Sequence, residues 1–499
     1  MNKFMDAMKD ATNFCYTENH AITHRTTESK LLDMFSMGAS MRNRSDADVI
    51  CMFKNAYEEN PEYALKCLFY IRDVRGIGQG ERRFFRVCMN WLAKNDTDAA
   101  RRNMPYIAEY GRYDDFYCLV DTPLEKEMFD FLKNQLIYDM SGAAPSLLAK
   151  WLCSCNASSR KTIALGNKTR QAFGLTHKEY RKVLSLLRKR INVLERLMSA
   201  NQWEDIKFEA IPSKAGLKYK KCFANKDIIK KQYENFAKDK TTKVNAAALN
   251  PVDIADQIFR AWSPTETERL MWDKYWTNLK DYYNGRDESG IAIVDVSGSM
   301  SGQPMNAAVS MGAYIAERGK GPFQNHFITF SNNPQLVEFT GVDLYDKFQR
   351  AKTADWGGST NIEAVFELLL KTALQNHCSQ EDLPQVLYVL SDMEFNGHVS
   401  CGPASNERWY TTGRPIYDQD QMETLLESIA RKWENYGFSL PRVVFWNLDA
   451  RHENIPALGS RFSYVSGFSM SMVEQILGGE DGYSLMMKVL NNSRYEIIH

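Results

Sequence analysis

Ile291-Ala292-Ile293-Val294-Asp295-Val296-Ser297-Gly298-Ser299 is the stretch on which the fold of the carboxyl-terminal half turns. Its apolar run is short enough for a buried parallel strand, and Gly302, Pro304 and a helical pattern from Asn306 to Glu317 follow it. A strand ending in Asp-x-Ser-x-Ser sets one carboxylate and two hydroxyls at the carboxyl edge of a sheet, where open α/β folds bind ligands. Two later segments extend the set. Gly357-Gly358-Ser359-Thr360 offers the Thr360 hydroxyl from a loop, and Val386-Leu387-Tyr388-Val389-Leu390-Ser391 is a second buried-strand run that ends at Asp392. Asp295, Ser297, Ser299, Thr360 and Asp392 are hard oxygen donors, the kind that Mg²⁺ or a similar cation such as Mn²⁺ takes with water completing the shell. Polar turns after strands are common, so the three parts in order carry the expectation.

From residue 287 onward, apolar runs alternate with helical patterns. Strands are expected at 290–295, 325–330, 386–391, 441–447 and 462–466, and helices at 304–318, 361–376 and 420–436. Such alternation gives a doubly wound α/β domain, its parallel sheet covered on both faces. A polar insertion over 393–420 follows Asp392 directly. Residues 26–286 read as almost wholly helical, and residues 1–25 as an amino-terminal arm. Asp46–Tyr57, Pro61–Arg72, Gly80–Ala93 and Thr122–Asp139 carry apolar residues at helical spacing. Pro61 suits a first helical position, and Thr176-His177-Lys178-Glu179 reads as a capping box. The helix it opens is expected to run to about Ala200, with Val183, Leu186, Leu187, Val193, Leu194 and Leu197 towards a core. Successive helices on short links predict a HEAT-like repeat array, curved or closed into a ring. Gly76-Ile77-Gly78-Gln79-Gly80 lacks a preceding strand and a following Gly-Lys-Ser/Thr, so a turn between helices is expected rather than a phosphate loop. Arg72, Arg75, Arg82 and Arg83 around it either pair with Asp73 and Glu81 or face RNA.

Several stretches are more specific than any periodicity. They are Tyr70-Ile71-Arg72-Asp73-Val74-Arg75-Gly76-Ile77-Gly78-Gln79-Gly80-Glu81-Arg82-Arg83, Tyr110-Gly111-Arg112-Tyr113-Asp114-Asp115, Lys150-Trp151-Leu152, Ser158-Ser159-Arg160-Lys161-Thr162, Ser391-Asp392-Met393-Glu394-Phe395 and Phe445-Trp446-Asn447-Leu448. Together with the metal motif they resemble a full-length family of Ro autoantigen-like proteins, which join a TROVE-like helical module to a von Willebrand factor A domain. The resemblance implies a metal-ion-dependent adhesion site (MIDAS) in which Ser297, Ser299 and Thr360 ligate the metal directly and Asp295 and Asp392 act through water. An acidic group from a protein partner would take the open position. It also implies that the helical module, residues 26–286, binds small structured or misfolded RNA, while residues 287–499 form the von Willebrand domain.

At 499 residues the chain is too long for one ordinary core. It has no apolar run of transmembrane length, no apolar signal core in its first ten residues, and cysteines without zinc spacing. The expectation is a cytoplasmic protein with no membrane association. Zero net charge hides a segregation: residues 1–149 carry 19 Lys/Arg against 22 Asp/Glu, residues 150–243 carry 23 against 8, and residues 244–499 carry 20 against 32. So basic a belt points to a polyanion. Arg160, Lys161, Arg181, Lys182, Arg188, Lys189, Arg190, Lys214, Lys218, Lys220 and Lys221 are the candidate RNA-binding residues, with Tyr219 and Phe223 as stacking surfaces for unpaired bases. The alternative is a solvated helix face, or a surface paired with the acidic carboxyl-terminal half.

His326 and His398 have no evident nucleophile beside them, and His398 with Cys401 lacks a second pair of metal ligands. The reading is a non-catalytic ribonucleoprotein scaffold that binds RNA on its helical module and an acidic ligand at the metal. Two other readings stay open: an assembly module with a MIDAS and no RNA role, and a nuclease in which Asp295 and Asp392 hold a metal that activates water.

Overall fold

The computed structural model describes residues 13–142, 144–286, 288–331, 333–354, 359–397 and 423–499. They form two units, each assembled from separate pieces of chain. One unit takes the residues up to Arg44, 250–262 and 281–489; the other takes 45–249, 263–280 and 490–499. These divisions differ from the sequence boundaries at 25/26 and 286/287, which follow the change of periodicity alone. Segments near both termini cross that division because their side chains find cores there, as described below.

In the first unit, β1 (Phe14–Tyr16) and β2 (Ile22–His24) form an antiparallel hairpin. Six further strands follow: β3 (Gly290–Asp295), β4 (His326–Phe330), β5 (Gln335–Glu338), β6 (Val386–Ser391), β7 (Arg442–Asn447) and β8 (Phe462–Ser466). They make one sheet in the order β5-β4-β3-β6-β7-β8, with β5 antiparallel and the rest parallel. Ala292, Ile293 and Val294 are wholly buried, so β3 is covered on both faces, as its unbroken apolar run requires. The helix Gln303–Arg318 lies close against it: a Cβ on Gly312 would stand 2.5 Å from Val294 Cγ2. The five expected strands agree within one residue. The edge strand β5 was outside that expectation, since Val337 is its one buried residue and it has no apolar run. Helices at Ile362–Gln375 and Leu425–Asn435 match two others expected. Of the insertion at 393–420, only 393–397 are described, and Gly357 and Gly358 also fall outside the described residues.

The amino-terminal piece is stitched into this sheet unit. His24 and Ile455 exchange backbone hydrogen bonds of 2.9 Å in both directions. Helix Lys30–Met37 buries Leu31, Leu32, Met34, Phe35 and Met37, and Ser466 at the end of β8 donates to Phe35 O.

The second unit is helical. Asp46–Glu59, Pro61–Arg72, Arg83–Asn95, Glu125–Ser141, Arg160–Phe173 and His177–Arg190 are its longer elements in the first part, followed by Ser213–Asn225, Asp227–Lys238 and Glu266–Thr277. Asn60 caps the helix that Pro61 opens, accepting from Tyr63 N at 3.1 Å. The capping box forms as expected, with Glu179 N donating to Thr176 Oγ1 and Glu179 Oε2 accepting from Thr176 N. That helix ends at Arg190 rather than near Ala200, and a separate turn, Leu194–Ser199, restarts after Asn192 (φ 48°). Before the break Tyr180, Leu184 and Leu187 are buried, while Leu186, expected towards the core, is 47% exposed. After it Leu194 is buried, and Val193 and Leu197 are half-buried.

Polar contacts hold this unit at its centre. Arg72 is buried against Asp115 at 2.7 Å, not against Asp73, and Arg86 reaches the other Asp115 oxygen at 2.7 Å. Asp73 instead fills the glycine loop, accepting from Arg75 N and Gly76 N at 3.0 Å. Gly78 is needed there because a Cβ would stand 2.2 Å from Tyr70 O. Asp73 also receives residues from far along the chain, with Arg494 Nη2 at 2.8 Å and Tyr495 Oη at 3.1 Å. Tyr495 is wholly buried and stacks on Tyr110 with centroids 5.7 Å apart. Tyr495→Ala should therefore lower the stability of the helical unit by about 3–5 kcal/mol, read as an earlier midpoint in urea unfolding. A midpoint within error of the wild type would show that these residues are not part of that core.

Candidate functional site

Counted from β3, the sheet order runs 3-2-1-4-5-6, so the winding direction reverses between β3 and β6. Connections leave these two strands in opposite directions and open a crevice at their carboxyl ends, the customary ligand position in such sheets. Asp295 ends β3 and Asp392 follows β6, so both carboxylates lie at this point.

The surrounding hydroxyls close the arrangement. Asp295 Oδ1 accepts from Ser297 N at 2.9 Å and Oδ2 from Ser391 Oγ at 2.5 Å. Ser297 Oγ and Ser299 Oγ are 3.0 Å apart, and the Ser299 hydroxyl is hydrogen-bonded to Asp392. Asp392 Oδ1 accepts from Glu394 N at 3.1 Å. Its Oδ2 is buried without a hydrogen-bond partner, and the Arg451 guanidinium stands 3.8 Å away. Met393 between them holds φ 67° while buried, a left-handed conformation that costs a bulky residue on the order of 1–3 kcal/mol. Thr360 Oγ1 donates to Asn396 Oδ1 at 2.7 Å and accepts from Asn19 Nδ2 at 3.0 Å.

Burial raises both carboxyl pKa values. Asp295 is pushed up to about 7, by loss of water and then by the nearby Asp392 charge. Asp392 is pushed up to about 6, again chiefly by burial, with Glu394 adding and Ser299 opposing. Both carboxylates are buried hard oxygen donors, and one oxygen accepts no hydrogen bond and has only Arg451 nearby. No group of three or more His, Cys, Asp or Glu side chains among the described residues is placed to hold a metal ion, so a cation here would depend on the hydroxyls. The sequence motif named the ligand candidates but missed Asn19, Glu394, Asn396 and Arg451. Glu394 is wholly buried and takes hydrogen bonds from Glu18 N at 2.7 Å and Asn454 Nδ2 at 2.8 Å. Only its place two residues after Asp392 hinted at a role.

The basic belt divides. Arg160, Lys161, Arg181, Lys182, Lys189, Lys214, Lys218 and Lys221 are exposed. Three others serve the fold. Arg188 donates to Ala149 O, Leu152 O and Ser154 Oγ at 2.8, 3.1 and 3.2 Å, and burial lowers its pKa. Arg190 gathers the carbonyls of Asp139, Met140 and Gly142, where helix Glu125–Ser141 ends and its carbonyls lack partners. Lys220 is buried 4.2 Å over the Trp272 ring beside Glu268, and burial pushes it down to about 8. Phe223, a stacking candidate, is 1% exposed in a cluster with Phe208 and Tyr233, and Tyr219 is tied to Glu195 at 3.0 Å.

Residues 17–135 and 134–283, more than half of the chain, match the family described as "Domain of unknown function (DUF2828)", and the chain belongs to that family. Residues 289–493 match a second family, "Domain of unknown function (DUF7788)". "Uncharacterized protein L728" of Acanthamoeba polyphaga mimivirus is 29% identical over 524 residues, covering 96% of this chain and 87% of the viral one. The crystal structure of the Deinococcus radiodurans RO (RSR) protein is similar over 93% of this chain and 99% of its own, at 14% identity and a TM-score of 0.48. Among the described residues no helix is long and apolar enough to cross a membrane.

Asp295 and Asp392 hold their protons more tightly in the folded chain than unfolded, so they contribute stability below about pH 4 that is lost as the pH rises through 6 to 7. In EDTA the sheet unit should melt on the order of 5 °C lower at pH 8 than at pH 5. Asp295→Asn should flatten that difference, and scanning calorimetry at the two pH values measures it. Asp295→Ala is less suitable, because Asp295 is wholly buried and holds two donors.

Proposed function

We propose that this chain is a non-catalytic RNA-binding scaffold of the Ro-like type, which also takes an acidic ligand through Mg²⁺ in a von Willebrand A-like unit. The observation that carries the RNA reading is the exposed face of helix His177–Arg190. Arg181, Lys182 and Lys189 stand in solvent there, and Glu179, the helix's single acidic residue, is folded back into the capping box. Cations left unanswered on a helix face attract phosphates and release their counterions. Exposed Arg160 and Lys161 begin the preceding helix, and exposed Lys214, Lys218 and Lys221 lie on Ser213–Asn225. Arg188, Arg190 and Lys220, which hold the fold, are left out of this surface.

The metal reading is supported by the carboxylates at the point where the sheet order reverses and by the buried Asp392 oxygen that accepts no hydrogen bond. Ser297, Ser299 and Thr360 would hold Mg²⁺, with Asp295 and Asp392 supplying the balancing charge; once bound, the cation would offer an open position to a carboxylate. Such a hydroxyl-rich set suits capture of an acidic group better than activation of water, which favours binding over nuclease chemistry.

An assembly module without RNA is the second reading. It is favoured by Ile137 and Tyr138, 58% and 66% exposed on helix Glu125–Ser141, two adjacent apolar side chains that a protein partner would cover. Salt separates the two. Arg181→Glu, Lys182→Glu and Lys189→Glu together should weaken binding to a structured RNA with a free single-stranded end at least tenfold. Every cation that no longer neutralises a phosphate flattens the slope of log affinity against log salt by about 0.7–0.9, so the slope should fall by about 2. Filter binding over a salt series tests this, and equal affinity in the triple variant would remove this face from any RNA site.

A further inference from the structure

We infer that the amino-terminal hairpin is one wall of the candidate metal site, and that Asn19 is the positioning residue for the Thr360 hydroxyl. The inference rests on the divalent-cation reading of the site and adds to it a segment far away in sequence. The family model that covers the proposed ligands spans residues 289–493 and contains none of the hairpin.

The loop between β1 and β2 lies along residues 393–397, just after Asp392. Thr17 Oγ1 donates to Phe395 O at 2.6 Å, Glu18 N to Glu394 Oε2 at 2.7 Å, and Gly397 N to Asn19 O at 2.8 Å. The two backbones approach so closely that a Cβ on Gly397 would stand 2.9 Å from His20 O. Asn19 Nδ2 then makes two bonds, to Glu394 O at 2.7 Å and to Thr360 Oγ1 at 3.0 Å. The carbonyl acceptor fixes the amide's orientation, because the other face of the amide could not donate to it.

Thr360 is thereby set by valence. A hydroxyl oxygen has one proton and two lone pairs. The proton goes to Asn396 Oδ1 at 2.7 Å and one lone pair receives Asn19. One lone pair is left, and the hydroxyl can no longer rotate away from it. Asn396 is itself anchored, donating to Ser359 Oγ at 2.9 Å. The hairpin also engages the cation beside Asp392: Arg451 pairs with the Glu18 carboxylate at 2.8 Å. Residues that orient a metal ligand in this way commonly change metal affinity by 10–100-fold when removed.

Mn²⁺ titration of the full chain by calorimetry, beside thermal melts in EDTA, tests the assignment. Asn19→Ala should raise the Mn²⁺ dissociation constant about tenfold, with little change in the metal-free melting temperature. Asn19→Ser, polar but too short to reach Thr360, should do the same and guards against a folding failure of the first variant. In a Thr360→Val background neither change should weaken binding further, because the effect passes through the hydroxyl that is already gone. Unchanged affinity in both Asn19 variants, or an equal loss in the Thr360→Val background, overturns the role of Asn19 while the metal site stands. A wild-type chain that binds no Mn²⁺ overturns the cation reading, and the role of Asn19 falls with it.

Discussion

Two carboxylates held side by side and out of water are the constraint around which the sheet unit is arranged. Asp295 and Asp392 are brought together by the pairing of two fully buried parallel strands, and neither can retreat without breaking that pairing. Their mutual repulsion and desolvation must be offset locally. The hydroxyls of Ser391 and Ser299, the backbone N–H groups of Ser297 and Glu394, and the Arg451 guanidinium all serve that end. The strained backbone at Met393 belongs to the same arrangement, since it lies between the carboxylates of Asp392 and Glu394. A structure that merely needed a turn after each strand would have no use for so many polar groups at the apolar end of a sheet.

The helical unit solves a similar problem without leaving an oxygen over. Asp115 is wholly buried, but Arg72, Arg86 and the N–H of Arg112 answer both of its oxygens, and Asp73 is answered by Arg494, Tyr495 and two loop amides. Breaking such a pair is costly, because the surviving charge is stranded away from water. The contrast between Asp115, saturated, and Asp392, one of whose oxygens accepts no hydrogen bond and has only the Arg451 guanidinium 3.8 Å away, separates a structural carboxylate from a candidate ligand more sharply than burial does.

How much of this could be read from sequence depended on range. The inner strands were readable because an unbroken apolar run of four or five residues between polar ones has few other uses, and β3, β6 and β7 sit almost residue for residue where that argument put them. The capping box at Thr176 and the proline-led helix at Pro61 are local and were equally visible. The hairpin was not: its strands are three residues each, and its partners are hundreds of residues away. Arg188 and Arg190 looked like their exposed neighbour Lys189, and only the carbonyls of other helix ends tell them apart. Charge counts locate a basic belt but not which of its members are already occupied.

The discontinuous make-up of the two units has a consequence for how the chain is made. Residues 13–44 leave the ribosome well before their strand and helix partners at 455 and 462–466, which are synthesised more than four hundred residues later. The helical unit likewise waits for Tyr495, which fills its core. Neither unit can finish folding as it emerges, so the nascent chain must carry exposed apolar surface in both until those late residues appear. At a synthesis rate of about 5–20 residues per second that exposure lasts tens of seconds, which makes newly made chains candidates for chaperone capture. A chain stopped just short of Tyr495 could complete its sheet while its helical unit stayed open. One stopped before β8 would leave both units unfinished.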